Sequence, residues 1–156
     1  LARSWANGPA AKPFDALLTA AEAFFEAHAS TEVSRGGTAA AAMMIGEKET
    51  LATQFLEDLK GFANGKPPYA GAGAHPDPDK SLNETYRHLM RAKPDAFESY
   101  SGITQEDVRR TQRLWLKYRD AWSAFATAAD PTQSAQAVTT WLTERRIAQL
   151  REFVEE

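Results

Sequence analysis

A chain of 156 residues with 43% hydrophobic and 25% charged residues has the size and composition of one soluble globular domain. Its net charge of −3 provides no overall positive field for nucleic acid, so we expect no nucleic-acid partner. The absence of cysteine excludes disulfides, thiolate catalysis and cysteine-ligated zinc, and no apolar run is long enough to span a membrane. The first residue is Leu1 rather than Met, which fits either a removed signal peptide or other residues that precede this chain, and slightly favours an exported protein, periplasmic or secreted.

The N-terminal part of the chain predicts an arm followed by two helices. Residues 1–12 show no periodicity, and we expect them to form an extended or frayed arm. A first helix is predicted from Pro13 to Ser30 and a second from Thr38 to Ala63, where Asn64-Gly65 provides a C-terminal stop. The predicted inward-facing residues are Phe14, Leu17, Leu18, Ala21, Phe24, Phe25 and His28 in the first helix, and Met44, Leu51, Phe55, Leu59 and Phe62 in the second.

A connection rich in proline and glycine, residues 65–78, comes next and cannot be helix or strand. Asp77 and Pro78 predict the N-cap and first residue of a third helix, which ends at Lys93-Pro94. The inward face of this helix is predicted to contain Leu82, Tyr86, Leu89 and Met90.

The fourth helix has the strongest pattern in the chain. Thr104 and Asp107 resemble a capping box at its start, and Asp130-Pro131 marks its end. Its apolar stripe should dominate the core and consists of Val108, Thr111, Trp115, Tyr118, Trp122 and Phe125. Asp130-Pro131 also predicts the start of a last helix, which runs to about Val154.

No segment alternates with a period of two, so we expect no sheet. The predicted fold is all-α, a single domain over residues 1–156 with a bundle of about five helices. Within it we predict an N-terminal helix pair at 13–64, the connection at 65–78 and a C-terminal three-helix bundle at 79–154.

The sequence offers no catalytic, cofactor or metal site. His28, His75 and His88 are far apart, and Asp77 beside His75 is better explained as a helix cap than as a metal ligand. No nucleophile elbow or glycine-rich phosphate loop is present. We therefore expect no enzymatic activity and no cofactor.

Two groups of polar residues on the helices have alternative interpretations. The basic residues Arg109, Arg110, Arg113 and Lys117 could contact an anion, but a solvated face paired with neighbouring acidic residues is favoured. Arg145 falls on the inward arc of the last helix, while Asn83 and Arg119 border apolar faces. For these three, an interhelical hydrogen-bond network is favoured over a ligand site.

Three segments carry a family resemblance. Residues 82–90 resemble the LN-x-x-Y-x-x-L segment of the bacterial lysozyme inhibitor LprI-like family. Residues 112–125 are similar to its Q-x-x-W-x-x-Y-R-D-A signature, and residues 141–150 to its closing WLT-x-x-R-x-x-x-L helix. The order and approximate spacing agree over about residues 77–154. We assign to a scaffold network the matching positions Asn83, Tyr86, Trp115, Tyr118, Arg119 and Arg145.

The resemblance implies a small all-helical protein exported to the bacterial periplasm or envelope, in a family with at least one lysozyme-inhibiting branch. Many members carry a cysteine pair, which this chain lacks. The predicted function is a non-catalytic extracytoplasmic binding protein that inhibits a lysozyme by occlusion. The alternative is an envelope structural or adaptor protein, which would expose an apolar patch on the Phe24/Phe25 or Phe55/Phe62 faces.

Acidic residues are the candidates for binding a lysozyme, because lysozymes are usually cationic. On the second helix the candidate partner-binding residues are Glu47, Glu49, Glu57 and Asp58, and at the C-terminus they are Glu152, Glu155 and Glu156. The loop at residues 66–78 is a further candidate, which could enter a cleft of the partner.

Overall fold

The computed structural model describes residues 5, 7–32, 39–69, 73, 75–92 and 103–155. These residues contain no strand and form five helices: α1 (Ala11–Thr31), α2 (Ala40–Ala63), α3 (Pro78–Ala92), α4 (Gln105–Ala129) and α5 (Ala135–Glu155). The predicted all-α class is confirmed. The predicted end of the third helix at Lys93-Pro94 lies outside the described residues. Among the helices described, none has an apolar stretch long enough to cross a membrane.

The fourth helix, α4, begins and ends where its local sequence predicts. The Thr104 hydroxyl accepts a hydrogen bond from the Asp107 backbone N–H at 3.1 Å, and the Asp107 carboxylate accepts one from the Thr104 N–H at 2.9 Å. This reciprocal pair is a capping box. At the other end, Asp130 is extended, as the steric demand of the following proline requires. All six residues of the predicted apolar stripe are buried.

The most extensive contact between helices joins α1 to α4. The Phe24 ring stacks on Tyr118 with 5.4 Å between ring centroids, and Phe14 lies 5.3 Å from Phe125. The prediction for α1 was wrong at Leu18, which is 42% exposed. Because successive residues of a helix point about 100° apart, the buried Leu17 turns its neighbour toward solvent.

The predicted frayed N-terminal arm is wrong at Trp5. This indole packs among three phenylalanines, at centroid distances of 5.3 Å from Phe14, 6.1 Å from Phe62 and 5.0 Å from Phe125. Burying so large an aromatic surface offsets the entropy lost by ordering the segment. Residues 1–4 and 6 lie outside the described part of the arm.

The C-terminus of α2 has the glycine stop that Asn64-Gly65 predicts. Gly65 has a φ of +69°, and its N–H donates to the Phe62 carbonyl at 3.2 Å. The Lys66 N–H reaches back to the Gly61 carbonyl at 2.8 Å, which completes a Schellman motif.

Gly46 within α2 and Gly65 just after it should respond to alanine substitution in opposite directions. Gly65→Ala is expected to lower the free energy of unfolding by about 1 kcal/mol, because a side chain disfavours positive φ. Gly46→Ala is expected to raise it by about 1 kcal/mol, since Gly46 is helical with no atom within 4 Å of an added Cβ. Urea unfolding of both variants measures the difference. Equal effects of the same sign would contradict it.

The start of α5 differs from the prediction, whereas the start of α3 agrees with it. Ser134 caps α5, with its hydroxyl accepting from the Ala137 N–H at 3.1 Å. Asp130 instead closes the preceding turn by accepting from the Thr132 N–H at 3.0 Å. In α3 the carboxylate of Asp77 accepts from the Lys80 N–H at 3.0 Å, as an N-cap does. Ser134, four residues after Asp130, is the residue type that predicts an N-cap. The prediction used Asp130 instead because a proline follows it.

A cluster of buried apolar residues draws on every helix: Leu17 from α1, Phe55 from α2, Leu89 from α3, Trp122 from α4 and Leu150 from α5. Both α3 and α4 pack on α5, but they make few direct contacts with each other among the described residues. The division into a helix pair and a three-helix bundle stays a prediction. Because α3 and α4 stay apart, an open space remains between them.

Candidate functional site

Four of the six residues assigned to a scaffold network lie on α4 or α5, and the structure places them at different depths. Trp115 and Tyr118 are buried, and burial raises the pKa of the Tyr118 phenol. The Tyr118 oxygen accepts a hydrogen bond from the Trp122 indole N–H at 3.1 Å. On α3, Tyr86 is half-buried and Asn83 is exposed. Tyr86 therefore packs at the edge of the core, whereas Asn83 lies outside it.

Arg145 links α5 to α2 through Asp58. Its guanidinium donates to both carboxylate oxygens, at 2.6 and 3.2 Å, and lies 4.6 Å from the Trp141 ring centroid. The Asp58 residue is only 3% exposed. Its assignment to an acidic partner-binding surface is therefore corrected, because its carboxylate is buried against Arg145 inside the protein.

Arg119 links three helices in a similar way. One guanidinium nitrogen donates to Asp79 of α3 at 3.0 Å and to the Thr143 hydroxyl of α5 at 3.5 Å. The guanidinium also lies 5.2 Å from the Trp115 ring centroid. These contacts fix the Arg119 side chain, which is 17% exposed.

The most deeply buried charge, Arg146, was missed by the sequence reasoning. Its residue is 0% exposed, and it donates to the two carboxylate oxygens of Glu32 at 2.6 and 2.7 Å. Its Nε also donates to the Gln112 side-chain oxygen at 2.9 Å. The signal was available, because the spacing of WLT-x-x-R places the motif arginine at 146 rather than at Arg145.

His28 extends this buried cluster to α2. Its Nδ1 lies 2.7 Å from Glu32 and its Nε2 lies 3.1 Å from Glu47. Burial lowers the pKa of His28, but the hydrogen bonds to both carboxylates outweigh burial and raise the pKa above its usual range. For Glu32 the effects are reversed: burial raises the pKa of this carboxyl, but Arg146 and His28 lower it to about 2. Both ring nitrogens can donate only when the imidazole is protonated.

This arrangement predicts that the protein loses stability on the alkaline side of the His28 titration. The folded-state pKa of His28 is raised, so its contribution is complete below the unfolded value and is lost as pH rises through the folded value. Glu32 has the opposite sign, and its contribution is lost as pH falls from about 4.5 toward 2. We expect the urea midpoint, measured from pH 6 to pH 9, to decline as the pH rises.

The matched control for this pH dependence is a histidine outside the cluster. His28→Gln should flatten the profile between pH 6 and 9, whereas His88→Gln, at an exposed position on α3, should leave it unchanged. A wild-type midpoint that stays constant or rises over this range would contradict the role of His28.

The remaining acidic candidates form part of an exposed surface. Glu49 and Glu57 are exposed, Glu57 pairs with Lys60 at 2.7 Å, and Glu47 is half-exposed beside His28. Two glutamates of α1 are also exposed, and one of them contacts Lys48 of α2. We call these residues the α1–α2 acidic surface: Glu22, Glu26, Glu47, Glu49 and Glu57. At the C-terminus Glu152 is exposed, while the side chains of Glu155 and Glu156 lie outside the described part.

The described part of the loop at residues 66–78 is anchored on α5. Tyr69 is buried with its ring 5.9 Å from Trp141, and its hydroxyl donates to Gln133. Further along, the backbone N–H of His75 donates to the Glu144 carboxylate at 3.0 Å, as does that of Gly73 at 3.2 Å. The described residues of the loop that was predicted to enter a cleft are thus held against α5 at Tyr69 and again at Gly73 and His75.

An open groove lies between α3 and α4, with a volume of about 410 Å³. Its α3 side is one helical stripe, Asp79, Leu82, Asn83 and Tyr86, and its α4 side is another, Arg109, Gln112, Arg113, Leu116 and Arg119. Its volume falls within the range of roughly 300–1,000 Å³ that ligand pockets occupy. The sequence assigned Asn83, Tyr86 and Arg119 to a scaffold network, and it favoured a solvated face for Arg109 and Arg113. Only the structure brings these five residues together.

Comparison with known proteins gives one match. A family model described as lysozyme inhibitor LprI matches residues 72–150. No curated protein and no solved structure matches the chain. The matched range contains the whole groove together with Arg145 and Arg146, whereas the α1–α2 acidic surface lies outside it.

Proposed function

Because the chain belongs to the lysozyme inhibitor LprI family, we propose that it is a non-catalytic protein that binds a lysozyme and inhibits it by occlusion. The family match carries this proposal, since it extends over α3, α4 and most of α5. We further propose that the protein acts outside the cytoplasm, in the periplasm or after secretion, where a lysozyme would be met.

The distribution of charge supports an encounter with a cationic enzyme. The net charge of −3 resides in residues 1–64, because residues 65–156 carry equal numbers of acidic and basic side chains. Glu32 and Asp58 of this part are buried against arginines of α5 and do not contribute to the exposed charge. The glutamates of the α1–α2 acidic surface are exposed or half-exposed, and Lys48 and Lys60 pair with two of them. Such a surface would steer a cationic lysozyme toward α1 and α2 and raise the association rate.

Ion pairs and hydrogen bonds that connect the helices and the loop support inhibition by occlusion. Arg145 and Arg146 tie α5 to α2 and to the end of α1 through buried carboxylates. The 66–78 loop is anchored on α5 through Tyr69, Gly73 and His75. A surface that is already ordered loses little conformational entropy when it covers the cleft of an enzyme.

The first test is inhibition of muramidase activity by the purified protein, across c-type, g-type and bacterial lysozymes, with a binding titration at low and high salt. We expect stoichiometric inhibition of at least one enzyme and a complex weakened by salt. Absence of both inhibition and binding across the panel would overturn the proposal.

Charge reversal distinguishes the acidic surface from the rest of the molecule. Glu49→Lys and Glu57→Lys should each weaken the complex by about threefold to tenfold, mainly through slower association. Glu84→Lys is the matched control, because this exposed glutamate on α3 changes the net charge equally at another site. Equal weakening by all three variants would assign the effect to net charge and remove the acidic surface from the proposal.

One observation favours the adaptor alternative. This observation is not the apolar patch predicted at four phenylalanines, because Phe24, Phe25 and Phe55 are buried and Phe62 is half-buried. Apolar residues are instead exposed on α2, namely Met43 at 47%, Ile45 at 61% and Leu56 at 54%. If no lysozyme binds, cross-linking of one envelope protein that is abolished by Ile45→Ser would support the adaptor function.

A further inference from the structure

The residues that line the groove between α3 and α4 carry a net positive charge, although carboxylates next to the groove pair with its arginines. Its lining contributes three arginines, at 109, 113 and 119, against the single carboxylate of Asp79. Arg119 is held by Asp79 and Thr143, while the side chains of Arg109 and Arg113 are 49% and 59% exposed. Two exposed guanidinium groups therefore lie on the α4 side of the groove, whereas the third, Arg119, is held against α3 and α5.

Glu106 occupies the position that a ligand carboxylate would take. Its two oxygens lie 3.6 Å from Arg109 and 2.7 Å from Arg113, so one carboxylate bridges both guanidinium groups. The side chain of Glu106 is 65% exposed, and exposed ion pairs of this kind contribute little free energy. A carboxylate from another molecule could displace it with small loss.

The groove also offers apolar surface and amide groups between the arginines. Leu82 forms a buried part of the wall, Leu116 is 38% exposed, and the Tyr86 ring is half-buried. Gln112 gives its side-chain oxygen to Arg146, which leaves its NH₂ group as the donor for a ligand. The combination suits a chain that alternates carboxylates with apolar side chains and carries backbone carbonyls to accept hydrogen bonds.

We propose that this groove binds an acidic peptide segment of a partner protein, with carboxylates on Arg109 and Arg113 and an apolar side chain between Leu82 and Leu116. Charge complementarity selects the peptide, since the lining carries three arginines against one carboxylate, and Glu106, which pairs with two of these arginines, is exposed and can be displaced. This binding site goes beyond lysozyme inhibition, because it lies on α3 and α4 rather than on the α1–α2 acidic surface.

The experiment measures fluorescence anisotropy of a labelled short peptide made of glutamate and leucine, titrated with the full chain. Arg109→Gln and Arg113→Gln should each weaken binding by about tenfold, because each removes a charge-assisted hydrogen bond. Glu106→Gln should tighten binding by about threefold or more, because it removes the internal competitor. A peptide with glutamine in place of glutamate should bind at least about tenfold more weakly.

Lys117→Gln is the matched control, since Lys117 is an exposed cation of α4 that does not line the groove. Its effect should be less than about twofold at physiological salt. Equal weakening by Lys117→Gln and Arg113→Gln would overturn the proposal in favour of general charge attraction. So would tighter binding of polyphosphate than of the peptide, or an absence of peptide binding. None of these outcomes bears on lysozyme inhibition, which is measured by enzyme activity and by the α1–α2 variants.

Discussion

Arg146→Leu is expected to lower the free energy of unfolding by about 3–5 kcal/mol. The substitution leaves Glu32 as a buried carboxylate whose two strong hydrogen bonds from the guanidinium are gone. It also removes the donor to the Gln112 side chain. Equilibrium unfolding in urea, followed by circular dichroism, measures the loss. The expected value is a large fraction of the roughly 5–15 kcal/mol that stabilises a typical domain.

Two further variants test whether this loss comes from the Glu32 carboxylate, which keeps His28 as its partner but loses the guanidinium. Combining Arg146→Leu with Glu32→Leu should recover part of the stability, because an apolar pair of similar volume often replaces a buried ion pair at little cost. Arg110→Leu is the exposed control, since Arg110 only approaches Asp107 at 3.9 Å, and should change stability by less than about 0.5 kcal/mol. A double variant less stable than both single ones would contradict this explanation.

Trp122→Ala is expected to cost about 3–5 kcal/mol, comparable to the loss of Arg146. The Trp122 residue is 0% exposed, and its ring lies 5.4 Å from Trp141 and 5.7 Å from Phe125. Truncation leaves a cavity where α2, α4 and α5 meet and removes the indole donor from the Tyr118 oxygen. Urea unfolding again measures the change.

A milder substitution of Trp122 and a substitution at an exposed position of the same helix test this prediction even if Trp122→Ala does not fold. Trp122→Phe keeps an aromatic ring and should cost less than half as much as the alanine substitution. Leu116→Ala removes an apolar side chain from the same helix at a position that is 38% exposed, and should cost less than about 1 kcal/mol. A Trp122→Ala loss no larger than that of Leu116→Ala would contradict a core centred on this indole.

The helices and their ends were predictable because their causes are local. The capping box at Thr104 and Asp107, the N-cap at Asp77 and the glycine stop at Gly65 each depend on residues a few positions apart. The stripe of α4 repeats every three or four residues, and this spacing alone identifies its buried face. The three motif segments, in order, indicated the family that the model match then showed.

The candidate site was only partly predictable. The sequence singled out Asn83, Tyr86 and Arg119, but it assigned them to a scaffold, because an isolated helix does not reveal which neighbour its polar flank faces. Arg109 and Arg113 were interpreted as a solvated face. The groove exists because α3 and α4 both pack on α5 while remaining apart from each other, a relation between helices that no single segment contains.

The sequence by itself determined the helical class, most helix boundaries and the aromatic stripe of α4, since these depend on interactions within one or two turns. Only the tertiary structure decided which charges are buried. Glu32 and Arg146 are 114 positions apart, and Asp58 and Arg145 are 87 apart. Whether Arg145 or Arg146 points inward depends on a rotation of about 100° around α5, which is fixed by packing against α3 and α4 rather than by the local sequence.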